Sequence, residues 1–411
     1  MQRHGTNPSR FHRRATVLVP GLLLAMTGCG ELVVRPDRPA ATDFATPAAA
    51  QGNAPAPSPT PAFYRMIAGG DVLPGGWLDA YQHRYGYDYP YRSLAPHLQQ
   101  ADLALVNLEC PLSRRGCANE KKTFTFRADP EAATALRAAG VNAVCLGNNH
   151  VMDYGPEALE DTLEVLDAQD IARCGAGRNA EESRKPAFVT TSSGFRFAIL
   201  SYSLTYPASF WAGPARAGTA FGRRSWIEAD VASAAAQAEA VVVCFHWGGE
   251  LVQEPRPYQL QLARLAVAAG ADAVVGSHPH ILQGFEWYRG SLIAYSLGNL
   301  VFGGGRSRKA VRSALLRVTF DPEGNVTSAD ILPLNVDNRE TEFVPRPLWG
   351  AQAEEVIKQA ESLSARWETT FHHIDDGWWR SKNPMLSSAN EKSVTGEIRN
   401  EETGNPTSVK P

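Results

Sequence analysis

The sequence predicts an α/β domain whose sheet strands are buried on both faces. Three observations support this fold class. Short apolar runs alternate with helical patterns, Pro and Gly mark the helix starts and ends, and polar side chains directly follow the apolar runs. Of the 411 residues, 44% are hydrophobic and 20% are charged, which is typical of a globular protein with a sizeable core. We assign the folded domain to residues 63–375.

The predicted elements alternate along the domain. The helical patterns cover residues 130–139, 156–168 and 258–269. One unit occurs twice, at residues 136–150 and 265–280, as a helix end, a Gly, a strand and a tip that carries His. The apolar runs that we predict to be strands are Tyr64–Ala68, Leu103–Val106, Ala143–Leu146, Phe195–Ser201, Ala240–Phe245, Ala273–Val275, Leu292–Ser296 and Ala314–Phe320.

The amino-terminal segment has the features of an export signal. Several arginines precede a short apolar run that ends in Met26-Thr27-Gly28-Cys29. This pattern predicts a signal peptide over residues 1–28, and the run is too short for a standard membrane span. A Cys at this point resembles the bacterial lipobox, so we expect lipid attachment at Cys29. The alternative is an ordinary signal peptide with an incidental Cys. The expected location is the outer face of the cell membrane, or the outer membrane.

Composition also sets the limits of the domain. Residues 29–62 are rich in Pro, Ala, Thr and Ser, which predicts a flexible linker. Residues 376–411 are polar and contain few large apolar side chains, so we expect a disordered tail. Cys110 and Cys117 flank a loop with Pro, Arg and Gly. An exported protein can contain disulfides, and the sequence leaves undecided whether these two Cys form one.

The charge balance argues against nucleic acid as a partner. The chain has 40 Lys and Arg against 43 Asp and Glu, whereas a nucleic-acid binder usually needs a basic face. Basic residues are nevertheless concentrated after Glu109, where they either attract an anionic substrate or form a solvated loop. They are Arg114, Arg115, Lys121, Lys122 and Arg127.

Polar side chains follow six of the predicted strands. The carboxyl ends of strands in an open α/β sheet form a binding edge, so we expect these side chains to converge. Mixed imidazole, carboxylate and carboxamide donors suit Mn, Fe or Zn better than Ca or Mg. The set has no thiolate, which excludes a structural zinc finger. The residues are Asp71, Asn107, Glu109, Asn148, Asn149, His150, His246, Glu250, His278, His280 and Asn299.

In chain order these residues form a series of motifs. The series is Gly70-Asp71, Asn107-Leu108-Glu109, Asn148-Asn149-His150 with Asp153, His246-Trp247-Gly248, Gly276-Ser277-His278-Pro279-His280 and Ser296-Leu297-Gly298-Asn299. It resembles the bacterial capsule-synthesis (CapA, poly-γ-glutamate) family of the calcineurin-like metallophosphoesterase superfamily. The resemblance covers about residues 63 to 340. It implies a four-layer α/β/β/α sandwich with a two-metal site.

The resemblance also implies roles for individual residues. His150 would donate a proton or steady a phosphate. Independently of the resemblance, the position of Asp153 three residues after His150 predicts that it either orients the His150 ring or caps the helix after Pro156. Leu73 stands where the superfamily has a further His ligand, so the sequence leaves undecided whether one or two metal ions bind. The implied metal ligands are Asp71 and His280 for the first ion, His246 and His278 for the second, Glu109 as the bridge, and Asn149. Candidate substrate contacts are Asn107, Asn148, Glu250, Asn299 and Arg127.

These expectations lead to three hypotheses about function. The first is an exported, lipid-anchored, metal-dependent hydrolase of the phosphoesterase type in capsule or poly-γ-glutamate biosynthesis. The second is a non-catalytic accessory protein that binds or exports polyglutamate. The third is a metal-dependent amidohydrolase that cuts γ-glutamyl bonds. The expected partners are an anionic polymer or phosphoester, the membrane through the lipid, and other capsule-synthesis membrane proteins.

Overall fold

The computed structural model describes residues 63–304 and 310–386. The predicted signal peptide, Cys29 and the linker therefore lie outside the described residues. Within the described ranges, the strands in chain order are β1 (Tyr64–Leu73), β2 (Leu103–Leu108), β3 (Ala143–Cys145), β4 (Ala172–Cys174), β5 (Ala176–Gly177), β6 (Ala187–Thr190), β7 (Arg196–Ser203), β8 (Gly218–Thr219), β9 (Ala240–His246), β10 (Ala273–Ser277), β11 (Phe285–Tyr288), β12 (Ser291–Ala294), β13 (Asn299–Phe302), β14 (Arg312–Phe320), β15 (Val326–Asn335), β16 (Arg346–Pro347), β17 (His372–His373) and β18 (Trp379–Lys382).

Helices connect many of these strands. The α-helices of the described ranges are α1 (Asp79–Tyr85), α2 (Ala95–Leu98), α3 (Glu131–Ala138), α4 (Gly155–Ala168), α5 (Ala180–Ser183), α6 (Arg224–Ala235), α7 (Pro257–Ala268), α8 (Asn338–Thr341) and α9 (Gly350–Ser364). Short 3-10 turns lie at Gly76–Leu78, Tyr89–Tyr91, Ala208–Phe210, Ala365–Trp367 and Asp375–Gly377.

Two large mixed sheets form the centre of the domain. The first has ten strands, with neighbours in the order β17-β18-β15-β14-β1-β2-β3-β4, while β13 pairs with β1 and β16 pairs with β15. The second has six strands in the order β11-β12-β10-β9-β7-β6. Strands β5 and β8 form a small ribbon of their own.

The two sheets stack face to face, and helices cover their outer faces. Leu105 of the first sheet and Val242 of the second belong to one buried core between the sheets. Helix α4 packs through Leu163 in the core on the outer face of the first sheet. Helices α6 and α7 pack through Ile227 and Leu262 in the core on the outer face of the second. This arrangement confirms the predicted four-layer α/β/β/α sandwich.

Strand direction brings the predicted site residues to one edge. Strands β1, β2, β3 and β4 are parallel, and so are β7, β9, β10 and β12. In register, Asp71 lies beside Asn107, and His246 lies beside Ser277. Asn299 differs from its prediction, because it begins β13 beside Asp71 instead of ending the strand before it.

The repeated helix–strand unit contributes one strand to each of the two sheets. Helix α3 leads into β3 through Gly140, and α7 leads into β10 through Gly270. These glycines have φ angles of +104° and +116°, a region that side chains disfavour, so Gly suits the helix ends there. Each strand then leads to a His-bearing tip at the same edge of the sandwich.

The disordered tail predicted from residue 376 is wrong for its first part. Strand β18 pairs with β15 on the first sheet. The Trp287 indole donates to Ser381 Oγ at 2.9 Å, and Arg380 binds Asp330. Sequence composition missed this strand because its partners lie about fifty or more residues away in the chain. The rest of the predicted tail, residues 387–411, lies outside the described residues.

Two further observations concern the cysteines and the helices of the described residues. Cys110 is buried and Cys117 is exposed, and both are free thiols, so the structure does not contain the disulfide that we considered. None of the helices in residues 63–304 and 310–386 combines the length and the apolar character that crossing a membrane requires.

Candidate metal centre

The position of Asp71 depends on a close approach of two backbones. Asp71 follows Gly70 at an irregularity of β1, and its backbone N–H donates to Gly298 O at 3.0 Å. A Cβ on Gly70 would lie 1.7 Å from that same carbonyl oxygen, so only Gly fits. The contact fixes the Asp71 carboxylate at the edge of the sandwich, beside the start of β13.

The first cluster consists of Asp71, Glu109 and His280. Their ligand-type atoms all lie within 4.8 Å of one another. His280 Nδ1 is 3.1 Å from Asp71 Oδ2, and His280 Nε2 is 3.8 Å from Glu109 Oε1. Asn299 Oδ1 also lies 2.9 Å from His280 Nδ1, which fixes the orientation of the ring.

The second cluster consists of Glu109, His246 and His278, and it satisfies the same 4.8 Å limit. His246 Nε2 lies 3.6 Å from Glu109 Oε1 and 2.7 Å from Asn149 Oδ1. Ser277 Oγ lies 2.9 Å from His246 Nδ1, and this hydrogen bond fixes the orientation of the His246 ring. Glu109 is therefore shared by both clusters, in the place where a bridging carboxylate is expected.

These residues fit divalent cations by a criterion that is independent of any resemblance. Glu109 Oε1 and His278 Nδ1 are buried and have no hydrogen-bond partner. Buried polar atoms without a partner are costly, and a cation bound by them removes that cost. Imidazole and carboxylate donors together suit Mn, Fe or Zn. His278 and His280 also have φ angles of +92° and +60°, a backbone strain that is typical of functional sites.

The electrostatics of the clusters agree with this fit. Burial and the charge of Asp71 raise the pKa of Glu109 well above its usual value. Burial, reinforced by the neighbouring imidazoles, lowers the pKa of His246 well below its usual value and that of His278 to about 3. An imidazole binds a metal ion only in its neutral form, and burial favours the neutral form of both His246 and His278.

Asp71 and His280 behave as an ion pair. Burial acts to raise the pKa of Asp71, but the hydrogen bond and charge of His280 outweigh it, so this pKa lies below its usual value. Burial likewise acts to lower the pKa of His280, and its contact with Asp71 raises the pKa instead. A cation in the first cluster would replace the proton of that imidazole, so that His280 would bind it in the neutral form.

A triad of His150, Asp153 and Lys122 borders the second cluster. Asp153 Oδ2 lies 2.6 Å from His150 Nδ1, and Lys122 Nζ donates to Asp153 Oδ1 at 2.5 Å. Burial lowers the pKa of His150 against the opposing effect of Asp153, and burial also lowers the pKa of Lys122. Asp153 does not cap α4, whose N-cap position is Tyr154. Of the two interpretations of Asp153, the geometry therefore favours orientation of His150.

Known proteins share this chain's sequence over most of the domain. The family described as "Bacterial capsule synthesis protein PGA_cap" matches residues 65–304, which is more than half of the chain. The chain belongs to this family. The resemblance that the motifs indicate is thus confirmed.

Several relatives illustrate the extent of the similarity. The "Capsule biosynthesis protein CapA" of Bacillus anthracis is 32% identical over 293 residues, covering 70% of this chain and 70% of that one. The "PGA biosynthesis protein CapA" of Bacillus subtilis (strain 168) is 29% identical, covering 68% and 76%. A "Probable polyglutamine synthesis accessory protein" of Mycobacterium tuberculosis is 32% identical, covering 57% and 66%. The crystal structure of the Thermus thermophilus protein TT1561 gives a TM-score of 0.36 at 13% identity, covering 67% of this chain and 99% of that one, a similarity too low for any inference.

The further His ligand that the resemblance to the superfamily implies has no counterpart on β1. Leu73 occupies that position, and its side chain is fully buried in the core on the outer face of the first sheet. The first cluster therefore receives Asp71 from this strand and no second ligand.

Asn107 contacts the clusters, and Asn148 contacts Asn107 and His150, in a way that the sequence did not predict. Asn107 Nδ2 donates to Asp71 Oδ1 at 2.8 Å and to Glu109 Oε2 at 3.3 Å. Asn148 Nδ2 donates to Leu108 O, and its Oδ1 accepts the His150 N–H. Both side chains are buried and their hydrogen bonds position neighbouring site residues, while the substrate contacts predicted for them stay a prediction. Asn299 has a similar positioning contact with His280.

The two remaining predicted contacts lie further out. Glu250 is exposed at the rim, near enough for its charge to act on Glu109 and His280. Arg127 stacks on the Tyr154 ring at 4.2 Å and donates to Arg115 O, so the structure does not bring it into the clusters. The other basic residues of this loop differ in their partners. Arg114 pairs with Asp129 and Arg115 with Asp161, whereas Lys122 contacts His150 and Asp153 beside the second cluster.

Sequence analysis missed the individual roles of Lys122, Phe126 and Phe302. Lys122 was one of five basic residues in a loop, and nothing local separates it from Lys121. The Phe126 ring centre lies 4.7 Å from that of His150, and the Phe302 ring centre lies 4.8 Å from that of His280. These two rings form an apolar wall beside the clusters. Phe126 lies in a loop and Phe302 ends β13, and a single aromatic residue at either position gave no local signal of a site.

Proposed function

We propose that this protein is a metal-dependent hydrolase of the phosphoesterase type that acts in capsule or poly-γ-glutamate biosynthesis. The observation that carries the proposal is the pair of clusters that share Glu109, one with Asp71 and His280 and the other with His246 and His278. Membership of the family supports the assignment to capsule or poly-γ-glutamate biosynthesis. The names of the two Bacillus relatives refer to capsule and PGA biosynthesis.

The residues suggest how a phosphoester would be handled. Divalent cations held by the two clusters would supply charge neutralisation for a phosphoryl group and an acidified water. Asp153 holds His150 through Nδ1, which leaves Nε2 as the ring atom able to hold or move a proton. Lys122 places a positive charge beside His150, where it would favour an anionic substrate. Phe126 and Phe302 would limit the access of water on one side.

The direct test is hydrolysis of an aryl phosphate by the purified chain with added Mn²⁺. We expect activity that disappears with a chelator and falls by about two orders of magnitude or more in Asn149→Ala and His150→Ala. Glu239→Gln serves as a control, because it changes a carboxylate at the other end of the sandwich, beside Arg196. Equal turnover by the wild-type chain and both site variants would refute the mechanism. Polyglutamate binding that survives chelation, without hydrolysis of any ester, would instead identify the accessory role.

We also propose that the protein is exported and anchored through a lipid on Cys29. The support is the arginine-rich start, the apolar run and the Thr27-Gly28-Cys29 sequence. The relatives' role in capsule biosynthesis agrees with a position at the cell envelope. Metabolic labelling with a fatty acid tests this proposal. We expect labelled protein in the membrane fraction and no label in Cys29→Ala, and label in both would contradict lipid attachment at this residue.

A further inference from the structure

A second charged feature lies at the opposite end of β1 from the metal clusters. A cavity of about 680 Å³ is lined by Arg65, Arg317, Arg380 and Lys382, and we call it the basic groove. Arg65 precedes Asp71 by six residues of strand, so about 20 Å separates the groove from the first cluster. The groove is therefore too distant to contribute to the metal site.

Sheet pairing aligns part of the groove in one row across four strands. Arg65 of β1 pairs with Thr319 of β14, Thr319 pairs with Ser328 of β15, and Ser328 pairs with Lys382 of β18. At about 4.8 Å between neighbouring strands, Arg65 and Lys382 are about 14 Å apart. Both cations are exposed, and hydroxyl groups lie between them. The row thus presents a positive charge at each end and hydrogen-bonding groups along its length.

The next row fixes two guanidinium groups side by side. Asp330 is fully buried between Arg317 and Arg380. Arg317 Nε donates to Asp330 Oδ2 at 2.8 Å, and Arg380 Nε donates to Asp330 Oδ1 at 2.7 Å. The Arg317 guanidinium also lies 4.3 Å from the centre of the Trp378 ring. Each guanidinium has five N–H donors and uses only part of them on Asp330, so both are held rigid with donors to spare.

The charges in the groove do not cancel. Among the described residues that line it are four cations and no carboxylate, and Asp330 beneath them supplies one negative charge. The whole chain, in contrast, has a net charge of −3. A concave surface with one sign of charge concentrates ligands of the opposite sign. Planar guanidinium groups match carboxylates particularly well.

We propose that the basic groove is a second, metal-independent binding site for an extended polycarboxylate chain such as poly-γ-glutamate. The choice of polymer rests on the proposed function, whereas the site itself needs no hydrolysis. Arg317 and Arg380 are recessed within the concavity, where a single chain reaches them and a flat bilayer does not. A polymer held here would have its other segments at a high effective concentration near the metal clusters.

The test measures polymer binding to the full chain after metal has been removed with EDTA. Fluorescently labelled poly-γ-glutamate is titrated at low salt, and anisotropy reports binding by the wild-type chain, Arg65→Ala/Lys382→Ala and a control. The control is Lys358→Ala/Arg366→Ala, which removes the same charge from exposed positions outside the groove. We expect affinity to fall about tenfold in the groove variant and less than about twofold in the control. High salt should weaken wild-type binding, because it screens the exposed cations.

Four other results would overturn the proposal, and a fifth would separate it from the proposed hydrolase. Equal affinity of the wild-type chain and the groove variant excludes the groove, and equal losses in both variants assign binding to overall charge. Binding to anionic phosphatidylserine vesicles without binding to the polymer assigns the groove to a membrane surface. Self-association that the groove variant loses, without polymer binding, assigns it to a second copy of the chain. Groove-dependent polymer binding by a chain that hydrolyses nothing would uphold this proposal and refute only the hydrolase.

Discussion

Replacing Glu109 by Gln should have opposite effects on stability in the absence and presence of metal. In the metal-free chain, Glu109 Oε1 is buried without a partner, and the Asp71 carboxylate lies in the same cluster. Burial disfavours the charged form of this carboxyl, so Glu109→Gln should stabilise the metal-free chain by about 1–3 kcal/mol at a pH above the unfolded-state pKa of Glu109. The shared ligand is then lost, so Mn²⁺ should stabilise the variant far less than the wild type.

The pH dependence of this effect follows from the raised pKa of Glu109. The folded chain holds the Glu109 proton after the unfolded chain has released it, because burial raises the pKa above the ordinary value of 4.5. The unfolded state therefore binds fewer protons, and this contribution to stability falls as the pH rises above about 4.5. Gln does not titrate. The advantage of Glu109→Gln should grow with pH until the folded-state carboxyl has ionised.

Urea denaturation followed by fluorescence measures both effects, first in EDTA and then in Mn²⁺. At a free Mn²⁺ concentration a hundredfold above its dissociation constant, the wild type should gain about 2.7 kcal/mol. Glu355→Gln is the matched control, since it removes the same charge from an exposed position on α9, outside both clusters, and should change either value by less than about 0.5 kcal/mol. A variant at Glu109 that is less stable than the wild type in EDTA, or that keeps the full gain from Mn²⁺, would refute the reasoning.

Three further predictions concern neighbouring residues. Lys122→Met should cost about 3 kcal/mol in urea denaturation because it leaves the buried Asp153 carboxylate without its ammonium partner, and adding Asp153→Asn should restore most of that loss. No restoration would disprove the coupling. Gly70→Ala should cost about 3 kcal/mol or more and lower metal content, because its Cβ would collide with a backbone carbonyl oxygen, whereas Gly213→Ala, with its nearest atom at 3.5 Å, should be tolerated. His278→Ala should reduce the number of Mn ions per chain in elemental analysis, and an unchanged number would exclude it as a ligand.

The edge on which the site lies could be predicted because its signal is local. Each of Glu109, His150 and His246 follows or ends its own apolar strand within a few residues, so no distant contact has to be known. Parallel strand direction then brings the strand ends together. The helix–strand unit of residues 136–150 and 265–280 is local in the same sense, since Gly140 and Gly270 mark both helix ends.

The contacts that tune the site could not be predicted because they join distant segments. Lys122 and Asp153 are 31 residues apart, and a neighbouring Lys121 has the same local signal. Strand β15 is a similar case outside the site. Asp330 interrupts its apolar pattern, yet it is fully buried because Arg317 and Arg380 on the adjacent strands neutralise its charge. A sequence pattern indicates the environment that a residue prefers by itself. It does not reveal the distant partner whose charge allows a residue such as Asp330 to be buried.

The two clusters are unequal, and this inequality follows from which atoms already have partners. In the first cluster, Asp71 is satisfied by Asn107 and by His280, and Leu73 adds no ligand. In the second, His278 Nδ1 has no partner, and the shared Glu109 Oε1 has none either. A cation entering the first cluster must displace an existing ion pair, whereas one entering the second satisfies atoms that burial has left unpaired. The second cluster should therefore bind its ion more tightly, and occupation of the first should depend on how well a substrate or a second ion compensates for the lost contact between Asp71 and His280.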